Sequence, residues 1–195
     1  LGLSPVIVGS AAVDRGEYLR RPDLGRRLST ASAAALTAGE APDVALVIAD
    51  GLSSAAVHAH AVPLVEALLP RCTSAGWRIG PVAVARQARV ALGDQVGEIL
   101  GARMVAVLIG ERPGLSTPDS LGVYLTYGPR VGRTDAERNC ISNIHDQGLA
   151  PAAAAARLAW LLDAALRRGV TGVTLKDESD LALAGAVAPA SLPAP

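Results

Sequence analysis

A chain of 195 residues, half of them hydrophobic and with a mean hydropathy of +0.33, has ample material for a core, which excludes a disordered chain. Eighteen basic residues balance eighteen acidic ones, so binding to a nucleic acid through bulk positive charge is excluded as well. No apolar run reaches the roughly 18 residues of a membrane span. Two cysteines, Cys72 and Cys140, are too few for a secreted disulfide scaffold and fit a reducing cytoplasm. There is no Phe and a single lysine, Lys176, so the core must be built from Val, Leu and Ala and the positive charge carried by arginine. Such thin side chains suit the closely packed layers of an α/β fold.

The apolar start, Leu1 to Val13, has no basic residue before it and reads as a boundary segment rather than a secretory signal. Glu17 to Ser29 is dense in arginine and broken by Pro22 and Gly25, and Ser32 to Ala38 reads as a short helix. Val44 to Ala49 is a continuous apolar run with β-branched residues, the mark of a strand buried on both faces. Asp50 to Ser53 then turns the chain, and Ser54 to Leu69 reads as a helix. Pro81 to Ala85 and Arg103 to Ile109 are further strands, separated by a helix through Asp94 to Leu100. Gly110 to Gly114, with Pro113, ends the last of these strands.

Leu121 to Tyr127 alternates as a strand, and Thr134 to Glu137 has the spacing of a capping box at a helix start. Pro151 opens a helix whose Leu158, Leu161, Leu162, Ala165 and Leu166 share one face and which Gly169 ends. Val170 to Leu175 reads as a closing strand, and Leu181 to Pro195 as a loosely ordered Ala/Pro-rich tail. The alternation of strand and helix predicts an α/β class with a mainly parallel sheet. In such a sheet a site gathers beyond the carboxyl ends of the strands, here at Asp50 to Ser53, Arg86 to Val90 and Glu111 to Gly114.

The chemistry of that site is less plain. Neither a dinucleotide fingerprint, a P-loop nor a nucleophile elbow occurs. His58 and His60 stand about 200° apart on a helix, which suits separate surface or capping roles better than a shared metal. Cys140 and His145 could form a thiol–imidazole pair, the alternative being an ordinary half-buried cysteine. Glu111 could pair with Arg112 or contact a ligand.

Five blocks together resemble the small subunit of ethanolamine ammonia-lyase: Arg20 to Leu28 (RRPDLGRRL), Ile48 to Val57 (IADGLSSAAV), Arg86 to Asp94 (RQARVALGD), Ile109 to Leu115 (IGERPGL) and Arg138 to Ile144 (RNCISNI). The resemblance covers residues 18 to 176. It implies an adenosylcobalamin-dependent lyase that converts ethanolamine to acetaldehyde and ammonia through a deoxyadenosyl radical. In that family a large TIM-barrel subunit holds ethanolamine, and the small Rossmann-like subunit closes over the cobalamin at the interface. Carried over by their motifs, the cobalamin contacts fall on Val90, Glu111 and Cys140, with no catalytic residue and no metal ligand on this chain. A Val can pack on the corrin rim, a carboxylate can accept its amide N–H groups, and a Cys can fill a small gap. No Asp here has a His two residues later, so the base-off cobalamin pattern is absent, in keeping with base-on binding in the family.

The family carries a longer helical stretch ahead of the first block, where this sequence has nineteen residues. The expected organisation is therefore an arginine-rich, partly helical segment over 1–40, shortened against the family, a Rossmann-like cobalamin-covering domain over 41–178, and a tail over 179–195. The expected setting is the cytoplasm or a bacterial microcompartment. A non-catalytic α/β binding or assembly module that keeps the scaffold is the alternative.

Overall fold

Val44–Ala49 (β2) and Met104–Gly110 (β4) lie side by side at the centre of a six-stranded sheet, buried on both faces as their unbroken apolar runs require. The computed structural model describes residues 1–180 except Ser4, Ala38, Pro113, Leu115 and Ser116. All of the expected tail but Ser179 and Asp180 thus lies outside the described residues. In chain order the elements are β1 (Pro5–Gly9), α1 (Arg15–Arg20), α2 (Pro22–Gly25), α3 (Thr30–Ala35), β2, α4 (Ser54–Ser74), β3 (Ile79–Arg86), α5 (Leu92–Ile99), β4, β5 (Leu121–Tyr127), β6 (Arg138–Ile144) and α6 (Pro151–Arg168).

The strand order is β1-β3-β2-β4-β5-β6. The pairings β1–β3, β3–β2 and β2–β4 are parallel, while β4–β5 and β5–β6 are antiparallel. The sheet is therefore mixed, with three parallel and two antiparallel pairings, where the sequence led us to expect a mainly parallel, Rossmann-like one. Its parallel half follows the helical crossovers α4 and α5, which return the chain to the edge where each strand began. Its antiparallel half arises where chain segments without a crossover helix reverse direction, from β4 to β5 and from β5 to β6.

On one face α4 and α6 pack together over Leu46, Met104, Leu108, Val123 and Leu125. On the other, α5 packs with Leu28 and Leu36 over Val47, Ala83, Val105 and Val107. Close approach of α5 depends on absent side chains: a Cβ at Gly93 would lie 2.2 Å from Val107 Cγ2, and one at Gly97 2.5 Å from Pro129 Cγ. Helix α4 runs through Pro63 and Pro70 to Ser74, five residues beyond its expected end at Leu69. Leu64, Leu68 and Cys72, all buried on one face, carry the helix past the bonds that the prolines cannot donate.

Three local expectations change. Within the apolar start, β1 forms an edge strand, where Pro5 needs no ladder partner. The capping box at Thr134 is made, with the Glu137 carboxylate accepting from the Thr134 backbone N–H (2.7 Å) and hydroxyl (3.0 Å). It closes only a 3-10 turn over Asp135–Glu137, after which the chain enters β6. The box satisfies the same groups in one turn as in a longer helix, and Arg138 is then drawn into the interior by Asp94. The expected closing strand over Val170 to Leu175 is a 3-10 turn at Gly172–Thr174. Side chains take the place of a ladder there: Thr171 Oγ1 accepts from Tyr127 N and donates to Glu137 O, and Asn139 Oδ1 accepts from Gly172 N.

Gly93→Ala tests the close α5–β4 packing. Helix propensity alone favours Ala by about 1 kcal/mol, but the clash with Val107 is expected to reverse the sign and destabilise the fold by about 1–3 kcal/mol. Denaturant unfolding reads the outcome; a midpoint that stays or rises would contradict the packing.

Candidate functional site

The site begins with one carboxylate. Asp50 follows β2, and its Oδ2 accepts from Gln87 N at 2.7 Å while Oδ1 accepts from Ala88 N at 3.0 Å. These bonds hold the loop after β3, where Gln87 adopts φ +53°, a conformation that L residues avoid. Beside it, Gly51 (φ +54°) approaches β4 so closely that a Cβ would lie 2.2 Å from Gly110 O. The carboxyl ends of β2, β3 and β4 are thereby drawn to one edge.

The arginine-rich N-terminal segment seals that edge. Tyr18 of α1 is fully buried, and its hydroxyl donates to Ala88 O at 3.2 Å. Its ring lies between the Arg15 and Arg89 guanidinium groups, 4.7 and 4.4 Å from the ring centre. Arg15 Nη1 donates to Gly51 O at 2.8 Å, and Arg89 N donates to Gly25 O at 2.8 Å.

Around these anchors lies a cleft of about 440 Å³ lined by Tyr18, Arg89, Val90, Glu111 and Tyr124. Val90 and Glu111, both half-buried, come from separate loops and meet here. Glu111 Oε2 accepts from Ser120 Oγ at 2.5 Å and from Asn143 N at 3.3 Å. Oε1 has no partner among the described residues and passes over Gly122, where a Cβ would be 2.7 Å away. Cys140 of β6 does not line the cleft itself; it stands directly across the ladder from Tyr124, which does. Burial pushes the Tyr124 hydroxyl above its ordinary range, and the charge of Glu111 adds to this. Cys140 is exposed, yet burial of its sulfur raises its thiol above the ordinary range, against a hydrogen bond with Tyr124 that lowers it.

Two alternatives left open by the sequence are corrected here. Cys140 and His145 do not pair. His145 is buried, its Nδ1 accepts from Gln147 N at 3.3 Å, and its Nε2 therefore carries the proton toward Asn143 Oδ1 at 2.8 Å. Glu111 and Arg112 form no ion pair either, because Ser120 and Asn143 turn the carboxylate the other way. His58 is exposed and His60 buried, with His60 Nε2 3.5 Å from Asp119 Oδ2. Among the described residues no three His, Cys, Asp or Glu side chains gather as a metal site.

Sequence reasoning passed over Tyr18 and Tyr124, and reached Asp50 and Arg89 only as members of the strand-end segments, with no role of their own. Alternation in β5 separates Tyr124 from the core-facing Val123 and Leu125, and Asp50 directly ends a buried strand; both were signals. Nothing local marks Tyr18 or Arg89, whose stacking joins residues seventy-one positions apart.

Fold and cleft together define an α/β protein with its candidate site at the carboxyl edge of a mixed sheet. A family model described as Ethanolamine ammonia-lyase light chain (EutC) matches residues 1–176. The small subunit of ethanolamine ammonia-lyase from Bradyrhizobium diazoefficiens is 61% identical over 182 residues, covering 92% of this chain and 70% of the relative. Those of Azotobacter vinelandii and Rhodopseudomonas palustris are 53% and 56% identical, covering 93% and 99% of this chain and 69% and 75% of the relatives. The chain belongs to the family of ethanolamine ammonia-lyase small subunits, which implies a large-subunit partner. No helix among the described residues is long and apolar enough to cross a membrane.

Asp50→Asn is expected to weaken both loop bonds, since an amide has one acceptor oxygen and no charge. The loss should be about 1–3 kcal/mol, with faster hydrogen exchange at the Gln87 and Ala88 amides. Exchange unchanged at those amides would contradict the anchoring role.

Proposed function

We propose that this chain, assembled with the large subunit of ethanolamine ammonia-lyase, binds adenosylcobalamin at the subunit interface and supports conversion of ethanolamine to acetaldehyde and ammonia. The observation that carries this reading is the convergence of Val90, Glu111 and the Tyr124–Cys140 pair, from four separate parts of the chain, beside one cleft. The residues present fit a broad macrocycle with an apolar rim and amide arms. Val90 and Tyr124 offer apolar surface, and Glu111 Oε1, without a partner among the described residues, is an acceptor on a carboxylate already oriented by Ser120 and Asn143. Adenosylcobalamin, when bound, supplies the radical chemistry.

In this reading the chain's own residues bind, orient and exclude water. Cys140, across the ladder from Tyr124, fills a small gap against the cofactor. Val90 covers an edge of the cofactor, and Glu111 fixes its rotation by holding an amide arm. Ethanolamine is held by the large subunit, and this chain contributes no catalytic residue. The proposed setting is the cytoplasm or a bacterial microcompartment within it.

Two outcomes are expected. The purified chain, free of any large subunit, should show no ethanolamine deamination; activity from the chain alone would contradict the division of roles. In the reconstituted complex, Glu111→Gln exchanges a charge-assisted bond of about 1.5–3 kcal/mol for a neutral one of about 1 kcal/mol. The adenosylcobalamin constant should rise about three- to thirtyfold, with the ethanolamine constant nearly unmoved. A lower melting temperature with an unchanged cofactor constant would make Glu111 a purely structural tie between β4, Ser120 and β6.

A further inference from the structure

The cleft continues past Val90 into a second hollow of about 470 Å³, and Arg89, Val90 and Tyr124 border both. The new hollow is rich in arginine, but its arginines are not equivalent. Arg138 is locked on Asp94 through two bonds of 2.6 and 2.7 Å and on Thr126 Oγ1 at 2.9 Å. Arg133 is tied to Glu137 and to the Tyr127 and Gly128 carbonyls. Arg26 and Arg89 have no carboxylate within 4.0 Å among the described residues.

Arg89 is the more informative of the two. Its Nε is buried and has no hydrogen-bond partner among the described residues, an arrangement that costs free energy unless an acceptor arrives. Its guanidinium is stacked on the Tyr18 ring, so its plane is fixed before any ligand comes. None of the nearby acids reaches it among the described residues. Asp50 has both oxygens on backbone amides, the largely exposed Asp135 lies 3.3 Å from Arg138, and Glu111 keeps Oε2 on Ser120 and Asn143, with Oε1 directed over Gly122. A planar, pre-oriented and uncompensated guanidinium is suited to an oxyanion with two acceptor oxygens.

We propose that Arg89, with Arg26 at the rim, seats the phosphodiester of the nucleotide loop of the bound cobalamin. This rests on the cofactor reading above and extends it to a part of the cofactor that Val90, Glu111 and Cys140 leave unheld. The continuity of the two hollows favours the cofactor's own anion over a carboxylate of the large subunit: a molecule packed on Val90 and Tyr124 brings its nucleotide loop within reach of the next hollow. The seat gives the site a preference for a complete cobalamin over a corrinoid that lacks the loop.

The test uses the complex of this chain with the large subunit, titrated by absorbance with cyanocobalamin and with dicyanocobinamide, which has the corrin but neither nucleotide nor phosphate. Arg89→Met keeps a straight stem over Tyr18 and removes the charge. It is expected to weaken cyanocobalamin about tenfold or more and to leave cobinamide unchanged. The phosphorus resonance of bound cyanocobalamin should move toward its free position. Arg26→Gln, at an exposed residue whose loss does not threaten folding, should show the same selectivity with a loss of about two- to fivefold. Equal losses for both ligands, or a phosphorus resonance that neither variant moves, overturn the proposal. So does weaker subunit association with ligand selectivity intact, which assigns Arg89 to an acidic side chain of the large subunit. If the wild-type complex binds neither corrinoid, the cofactor reading itself fails.

Discussion

The edge of the sheet that carries the site depends on the Asp50 carboxylate. A strand that ends in the interior leaves backbone N–H groups to satisfy, and the loop after β3 has two of them at Gln87 and Ala88. Asp50 meets both and so stabilises the left-handed turn at Gln87. Once that turn is fixed, Ala88 O faces the Tyr18 hydroxyl, Arg89 N meets Gly25 O, and the side chains of Arg89 and Val90 face the cleft. The short helices α1 and α2 could not persist on their own propensity. Their stability comes from this docking, through a fully buried tyrosine held between two guanidinium groups.

The mixed sheet explains why the site is open. Helices α4 and α6 cover one face along the middle and the antiparallel half, whereas on the other face the eight-residue α5 packs on β2 and β4. Tyr124 and Cys140 lie beyond it, half-buried and exposed. A fold that leaves polar-tipped side chains on an incompletely covered sheet next to a cleft has a surface for something else to complete. That geometry accords with a chain whose relatives are small subunits of ethanolamine ammonia-lyase.

Much of the architecture was legible because it rests on local pattern. The runs of β2 and β4, the proline start and glycine end of α6, and the alternation of β5 carry their structure in their own residues. What was not legible rests on distant partners. β6 is a strand because Arg138 finds Asp94 forty-four positions away and Cys140 finds Tyr124; its local capping signal is spent on one short turn. Val170 to Leu175 has the residues of a strand but meets side-chain caps rather than a ladder. Val90 and Glu111 were reachable through family motifs, while Arg89, next to one of them, is distinguished only by an Nε without a partner among the described residues and by its stacking on Tyr18.

On the proposed reading the cleft is one part of a site shared with the large subunit, so neither subunit alone should hold adenosylcobalamin tightly. The most direct measurement is calorimetric titration of adenosylcobalamin into the isolated chain, into the large subunit, and into an equimolar mixture of the two. The account predicts a tight isotherm and a stable cobalamin absorption band only for the mixture. A tight one-to-one isotherm with the isolated chain would contradict it.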